Sequence, residues 1–563
     1  MEQESSNVKP ELAWKKWASL FILALGLAIV VIDGTVLNVS ISSIVKDLNT
    51  DLQSIQWAIT TYSLIIASLT IFGGRLGDFF GRRLAFVVGA LIFAVGSLIT
   101  AFSKDVNMLI LGWSVVEGIG AALMVPASSS LLVSNFEGKE RGQAFGIYGA
   151  TAGIASAIGP ILGGYLTSTY SWRWAFGINV FVVLALVAGS VIIKGYRETN
   201  KKVNLDIPGV VLSAVGLGSL TYGLIESSTY GWFSAKKPFE FNGANYDLAG
   251  LSVTVYTVLI GIILLAALVW WELREERLGR SPLINMSIFK NRQFSAGIAV
   301  IAAVFAGFTG IITFGVVLYY QSVLGLGAFD SGIGLIPLSL ALMVTAPISA
   351  KLANKFGVKP VIQVGLVLAV VASAVLYYSL KIGATRIDIA PALALFGVGF
   401  GLLVSQLTNA ILSSVPVSQA GEASGINGTI REVGRTFGTA IIGAVFLSVF
   451  SSSIATNLSN DTKIPDQVKT SILAKVDAGE TGLNSSPDNQ NSVKLPAAVQ
   501  TAITDEFHQS TVDASRQAII YTGLFVLLAL GLSFFLPKSS NAKKDINPES
   551  DASDQSSKLA TAH

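Results

Sequence analysis

Long runs of apolar residues alternate with short polar segments along almost the whole chain. A helix needs about 20 apolar residues to cross a bilayer. Backbone groups in lipid must be satisfied within their own segment, so each run is predicted to be a helix. The fourteen candidate spans have the approximate edges 17–44, 54–74, 84–103, 107–133, 142–167, 173–194, 207–228, 250–271, 294–321, 330–350, 360–380, 389–412, 425–451 and 517–537.

The composition supports a polytopic membrane protein. Of 563 residues, 52% are hydrophobic and 13% are charged, whereas soluble domains carry about 25% charged residues. The chain has no cysteine, and its two histidines, His508 and His563, lie in a polar loop and at the chain end. Thiolate metal sites, cysteine nucleophiles and histidine-based sites within the membrane are therefore excluded, and we expect no metal, no cofactor and no enzymatic activity.

The basic residues predict the orientation. With the N-terminus inside, the segments on the inner side hold 26 of the 38 Lys and Arg residues, Arg431 and Arg435 among them. Short loops rich in Lys and Arg stay in the cytoplasm. The N- and C-termini are thus both predicted to be cytoplasmic, in a multi-pass protein of the cell (inner) membrane.

A ten-residue polar loop, Gly74-Arg75-Leu76-Gly77-Asp78-Phe79-Phe80-Gly81-Arg82-Arg83, joins the second and third runs. Glycine lets two helices end close together, Asp can cap a helix or pair with a cation, and the Arg pair cannot enter hydrocarbon. Residues 350–359 repeat this pattern, with Ala350 and Asn354 in place of the first Gly and the Asp. Repeated halves around a central cavity are typical of transporters.

The repeat predicts the domain organisation. A cytoplasmic tail, 1–16, precedes a six-helix bundle at 17–194, and a second six-helix bundle covers 294–537. Residues 207–271 form an inserted helix pair with an outer loop at 229–249, in which Phe241-Asn242-Gly243 indicates a small hairpin. The long outer loop 452–515 shows apolar residues every four positions near 464–476 and 499–507, which predicts two short amphipathic helices. The tail 538–563 is predicted to be disordered.

Two acidic residues lie deep within predicted spans, where ionisable groups are candidates for function. Asp33 is 13 residues before Lys46, and Glu117 is 12 residues after Asp105. At 1.5 Å per residue, both lie roughly 18–20 Å from the outer ends of their helices. Two carboxyl groups at one depth could exchange protons and attract a cation, or could simply satisfy hydrogen bonds between helices.

The fifth run contains a stripe of small residues with an internal proline, Gly153, Gly159, Pro160, Gly163 and Gly164. Small residues let helices approach closely, and proline bends a helix. This pattern indicates tight packing, a bend that controls which face opens, or both. The chain has no G-x-x-x-x-G-K-[ST] motif, so no ATP site is expected.

These residues resemble the fourteen-span drug:proton antiporter branch of the major facilitator superfamily over about residues 17–537. Gly74–Arg83 is similar to the family's loop between spans two and three, and Gly153–Gly164 to its antiporter motif in span five. Asp33-x-Thr35-x-x-Asn38 resembles the span-one motif whose acid is implicated in proton coupling or cation recognition. Three further branch-like stretches are Trp172-Arg173-Trp174-x-Phe176-x-Ile178-Asn179, Asp206-x-x-Gly209 and Ala420-Gly421-Glu422-Ala423-Ser424-Gly425.

Span four departs from the family pattern. The family has an Arg, followed three residues later by Gln-Gly, where this chain has Ser114 and Glu117-Gly118. Loss of a cation should leave nearby carboxyl groups harder to ionise. Our hypothesis is that Glu117 joins Asp33 in a proton-coupling site.

The resemblance implies an all-α fold and an exporter of amphipathic, cationic drugs or dyes, which exchanges them for protons by alternating access. The expected partners are a small-molecule substrate, protons and the bilayer, without nucleic acid or ATP, and the expected functional unit is a monomer. Gly74, Asp78, Gly81, Arg82 and Arg83 would form a cytoplasmic latch. Candidate substrate contacts, for which helix packing is the alternative, are Trp57, Tyr62, Tyr319, Gln321 and Asn409.

Three other functions remain open. One is uptake with protons on the same fold, and another is export of a physiological solute such as a lipid or a siderophore. The third is a membrane-embedded enzyme, for which we find no catalytic constellation in the sequence.

Overall fold

The computed structural model describes residues 10–50, 52–195, 206–241, 244–246, 248–461, 464–477 and 496–537. In these ranges fourteen helices are long and apolar enough to cross a membrane. The predicted all-helical polytopic fold is therefore confirmed. The tail at 538–563 and the turn residues 242–243 lie outside the described ranges.

The first six spans form one bundle whose core contains large side chains from several helices, such as Leu20, Phe86 and Phe145. The fourth span changes from α-helix to π-helix and back. The elements are α1 (Pro10–Asp47), α2 (Leu52–Phe80), α3 (Arg82–Ala101), α4 (Val106–Leu109), a π-helical segment (Ile110–Glu117), α5 (Gly118–Asn135), α6 (Gly138–Thr169) and α7 (Trp172–Gly189).

Two helices, α8 (Ile207–Tyr230) and α9 (Val253–Arg277), form the inserted pair. Between them, β1 (Phe239–Phe241) pairs antiparallel with β2 (Ala244–Tyr246), which gives a small hairpin. Asp206 caps α8 by accepting a hydrogen bond from Gly209 N at 3.0 Å, and it also accepts one from the Trp271 indole at 2.9 Å. Helix α8 packs against α2 and against a helix of the second bundle, so the pair lies beside both bundles.

The second bundle repeats the six-span pattern of the first. Its elements are α10 (Arg292–Thr309), two π-helical segments (Gly310–Val317 and Tyr319–Val323), α11 (Ala328–Gly334), α12 (Ile336–Phe356), α13 (Val358–Ser379), α14 (Arg386–Ser413), α15 (Ala420–Asn460), α16 (Asp466–Asp477) and α17 (Ala497–Ser533). Across the bundles, α2 packs against α15 and α6 packs against α12. This symmetric pairing matches the internal repeat.

The two repeated loops have the same backbone geometry. Gly81 ends α2 with φ +104°, and Gly357 ends α12 with φ +91°. Side chains rarely adopt such positive φ values, so glycine is favoured at both turns. In each half the following helix begins at the next residue, Arg82 or Val358.

Two expectations from the sequence need correction. Residues 499–507 do not form a separate short helix, because they continue without a break into the last span as part of α17. Helix α15 is 41 residues long, so Arg431 and Arg435 lie inside a span and not in an inner segment. Both helices extend because they pack against each other beyond the bundle, where Ile454 and Leu458 contact Val499 and Ala502.

Candidate functional site

Asp33 lies in the interior of the first bundle and is 1% exposed. Trp113 Nε1 donates a hydrogen bond to its Oδ2 at 2.7 Å, and Asn179 Nδ2 donates to its Oδ1 at 3.0 Å. Asn179 also reaches Ser97 Oγ at 3.2 Å. Three spans thus orient one buried carboxyl group, with no cation in ion-pair contact among the described residues.

Glu117 is fully buried and faces Asp33 within hydrogen-bond reach. Thr100 Oγ1 donates to its Oε1 at 3.5 Å, and the buried Oε2 has no hydrogen-bond partner in the described part of the chain. Trp113 and Glu117 both belong to the π-helical segment Ile110–Glu117, a geometry frequent at functional sites. The structure therefore brings together the two acids that the sequence singled out.

A second layer fixes the helices around this carboxyl pair. At the outer end of α1, Arg173 of α7 forms an ion pair with Asp47 and donates a hydrogen bond to Ser103 O at 2.8 Å. The hydrogen bond from Arg173 lowers the pKa of the Asp47 carboxyl, so the pair stays charged in mild acid. Arg173 and Asn179 are six residues apart in one branch-like motif. In that motif Arg173 holds the outer ends of the helices together, and Asn179 donates a hydrogen bond to Asp33.

An aromatic pair covers the acids. Tyr62 stacks on Trp113 with ring centroids 4.7 Å apart and planes 6° apart. The buried Tyr62 hydroxyl has no partner among the described residues. Sequence reasoning missed Trp113 and named Asn179 only as part of a branch-like stretch without a role, because nothing in a single sequence shows which span faces Asp33.

At the end of the bundles where the basic loops lie, Asp78 and Arg82 form a buried network that joins the two bundles. Arg82 donates from Nε and Nη2 to Asp78 Oδ1 at 3.0 and 2.9 Å, and it also donates to Val417 O. Asp78 accepts from Gly421 N at 3.1 Å and Glu422 N at 2.9 Å. A Cβ at Gly74 would lie 2.2 Å from Gly421 O, so α2 and α15 approach closely there.

The latch differs from the prediction in two residues. Arg83 lies beside Gly195 and makes no ion pair within the described ranges, so it stands outside the network. Arg75, which the sequence reading left out of the latch, forms a buried ion pair with Glu422 at 3.2 Å and donates to Pro282 O at 2.9 Å. Helix periodicity places Arg75 and Asp78 on one face of α2, whereas Arg83 lies beyond the turn at Gly81.

The small residues of α6 allow close packing against two different helices, α1 and α12. A Cβ at Gly159 would lie 1.8 Å from Thr35 Oγ1, and one at Gly163 would lie 3.0 Å from Val36. Both positions thus let α6 pack tightly against α1 near Asp33. Gly153 instead faces Leu342 of the second bundle, where a Cβ would lie 2.4 Å from Cδ2.

We expect Gly159→Ala to destabilise the protein and to slow transport several-fold. The added methyl group meets Thr35 and forces α1 outward, and overpacking of this kind costs about 1–3 kcal/mol. The matched control is Gly34→Ala on α1, because a Cβ there meets nothing within 4 Å. Thermal unfolding in detergent and dye transport in proteoliposomes measure both variants. Equal behaviour of the two variants would contradict the prediction.

The five candidate substrate contacts do not line one site, which corrects that prediction. Trp57 stacks on Tyr222 of the inserted pair at 5.9 Å, and Gln321 is exposed. Tyr319 donates to Lys381 O at 2.8 Å at the outer end. Asn409 lies near Gly142 at the opposite end. Tyr319 and Asn409 lie at opposite ends of the spans and cannot contact the same substrate. Of the five candidates, Tyr62 is the one that lies next to the acidic pair.

Helix α15 carries Glu432, which the sequence reading did not name, and Arg435, which it counted in an inner segment. Glu432 and Arg435 form an ion pair three residues apart. Arg435 Nη2 reaches Ser63 Oγ of α2 at 3.4 Å, next to Tyr62. Their position inside one uninterrupted helix, Ala420–Asn460, is the feature of the sequence that could have indicated that they lie in a span.

Two helical bundles, closed at one end by a buried charge network and holding acids in the interior, define a polytopic membrane transporter. The chain belongs to the Major Facilitator Superfamily, whose family model matches residues 23–439. It is a multi-pass membrane protein that carries small molecules, and it is not an enzyme.

Several relatives of this chain are named as transporters. A "Probable actinorhodin transporter" of Streptomyces coelicolor is 29% identical, with 89% of this chain and 83% of the relative covered. "Multidrug transporter protein MdtP" of Bacillus subtilis is 28% identical, with 92% and 93% covered. Both relatives are thus named as transporters, one of a single compound and the other of many drugs.

Solved structures share the fold. The human organic anion transporter MFSD10 (TETRAN) is 10% identical, with a TM-score of 0.57, and 92% of this chain and 99% of that chain are covered. The proton:xylose symporter XylE is 14% identical, with a TM-score of 0.53, and 93% and 97% are covered. At these identities the likeness concerns the architecture alone.

Proposed function

We propose that this protein is a proton-coupled antiporter that exports amphipathic, cationic drugs or dyes by alternating access. Asp33 and Glu117 form the proton-coupling site. The observation that carries the proposal is the proximity of these two buried carboxyl groups, which have hydrogen-bond donors around them and no ion pair with a cation among the described residues.

The electrostatics of the pair favour a protonated state. Two carboxylates in contact repel each other, so such a pair is stable when it holds a proton. An ionisable pair deep in a membrane protein is costly unless it has a function. Opening of the cavity to one side at a time would let the pair take up a proton on one side and release it on the other.

The aromatic pair connects this site to the space between the bundles. Tyr62 lies within electrostatic range of Asp33 and Glu117 on one side and of Glu432 and Arg435 on the other. Glu432 is partly exposed and offers a carboxylate to a cationic substrate, which would compete with Arg435 for it. Movement of Tyr62 on substrate binding would disturb Trp113 and hence its hydrogen bond to Asp33.

A proton-flux measurement tests the proposal. The purified protein is reconstituted with a pH-sensitive dye inside the vesicles, and ethidium is added outside. Antiport predicts that ethidium uptake alkalinises the lumen, because protons leave as the dye enters. Acidification would indicate symport, and dye movement without any pH change would exclude coupling.

A further inference from the structure

Arg431 occupies a central position between the bundles. It lies 11 residues after the start of α15 at Ala420, about 16 Å along the helix. Ser424, two turns earlier on the same face, contacts Ser129 of the first bundle through a hydroxyl hydrogen bond. Arg431 is therefore two turns from that contact, and it lies within electrostatic range of the Tyr148 hydroxyl group of α6.

Arg431 differs from the other arginines at the boundary between the bundles, because it forms no ion pair with any acidic residue that the structure describes. Arg75 pairs with Glu422, Arg82 with Asp78, and Arg435 with Glu432. For Arg431 the described residues provide no ion pair and no hydrogen-bond acceptor, and its guanidinium lies 4.4 Å from the centre of the Phe305 ring. A guanidinium is costly in a membrane interior without a partner, which points to a ligand.

An aromatic surface adjoins the guanidinium. Phe305 packs edge-on against Phe400 at 5.7 Å, and Phe400 stacks with Phe308 at 4.0 Å and 19°. One turn before Arg431, the buried Asn427 Oδ1 has no hydrogen-bond partner in the part of the chain that the structure describes. A cation, an aromatic face and an unsatisfied amide oxygen thus lie together on the second bundle.

We propose that Arg431 binds the acidic group of an aromatic substrate, a carboxylate or an ionised phenol, whose ring system lies against Phe305. A guanidinium presents paired N–H donors that match a carboxylate. This inference rests on the proposed export function and widens it, because Glu432 receives a positive group while Arg431 receives a negative one. Zwitterionic aromatic compounds then join the cations as substrates.

The test is equilibrium binding of two matched dyes to the purified full chain, followed by fluorescence anisotropy. Rhodamine 110 has a free carboxyl group, and rhodamine 123 is its methyl ester. We expect Arg431→Gln to weaken binding of the free acid about tenfold relative to the ester. The ratio of the two dyes, measured on one preparation, cancels differences in the amount of folded protein.

Two further variants sharpen the comparison. Arg431→Lys keeps the charge but loses the paired donors, so we expect it to recover part of the preference for the acid. Arg386→Gln, a partly exposed arginine paired with Asp330 at the outer end of α14, is the control and should leave the ratio unchanged.

Equal weakening of both dyes by Arg431→Gln would overturn the inference, and so would a lack of saturable binding of rhodamine 110 by the wild-type chain. Competition distinguishes an organic acid from a lipid headgroup: displacement of rhodamine 110 by short-chain phosphatidylglycerol at equal concentration would assign the site to lipid and also overturn it. Because binding is measured without a proton gradient, failure here leaves the antiport proposal standing, whereas failure of the proton-flux experiment leaves the binding result standing.

Discussion

Asp33→Asn should reduce proton-driven dye export by a factor on the order of 100 or more, because an amide cannot take up and release the transported proton. The substitution is close to isosteric, but its single oxygen can accept from only one of Trp113 and Asn179, because these two donate to different oxygens of Asp33. Since the shape of the side chain is kept, we expect the fold to persist. We expect dye binding without a gradient to survive while dye-dependent proton movement disappears.

Glu117→Gln tests the contribution of the second carboxyl group separately from that of Asp33. If they share one proton, loss of either should abolish coupling, and the double variant should be no worse than each single variant. Asp466→Asn is the control, since the Asp466 side chain is 99% exposed and its one ion pair among the described residues is with Lys469, at 3.7 Å. Normal coupling in both Asp33→Asn and Glu117→Gln would refute the two-carboxyl site.

The second large effect concerns the latch. In the double variant Ser129→Cys/Ser424→Cys, oxidation should form a disulfide that stops transport, and reduction should restore it. The two hydroxyl groups are in hydrogen-bond contact across the bundles, and the natural chain has no cysteine that could interfere. A cross-link there holds the cytoplasmic side closed, so alternating access cannot proceed.

Asp78→Asn in that double-cysteine background should slow cross-linking by about tenfold or more. The carboxylate accepts backbone hydrogen bonds from Gly421 and Glu422 and pairs with Arg82. Each charge-assisted bond contributes about 1.5–3 kcal/mol, and 1.4 kcal/mol changes a population tenfold. Mass-spectrometric quantification of the disulfide over time measures the effect. Asp330→Asn at the outer end is the control, and an unchanged cross-linking rate in Asp78→Asn would exclude a latch role for Asp78.

Most of the fold could be predicted, because hydrocarbon permits few solutions. The positions and the number of the spans followed from the lengths of the apolar runs. The fourth span was recognised in this way, but its π-helical segment was not predicted. Helix-end details were less predictable: α15 and α17 extend past the expected boundaries because they pack on each other through Ile454 and Val499. That contact joins distant parts of the chain, and no local pattern reports it.

The candidate site was only partly accessible to sequence reasoning. A carboxyl group in an apolar run stands out in any single sequence, so Asp33 and Glu117 were found. Trp113 and Asn179 look like ordinary span residues until the packing places them against Asp33. Arg431 was seen but assigned to an inner segment, because a charged residue near a predicted boundary cannot be placed without the course of the helix.

The sequence by itself determined the helical spans, the internal repeat and the buried acids, since each depends on residues close together in the chain and on the cost of polar groups in lipid. Only the tertiary structure decided which of these residues meet. The contact between Asp33 and Trp113 joins residues 80 positions apart, and that between Asp78 and Gly421 joins residues 343 apart. Such contacts depend on how helices pack, and many packings satisfy the same pattern of apolar runs.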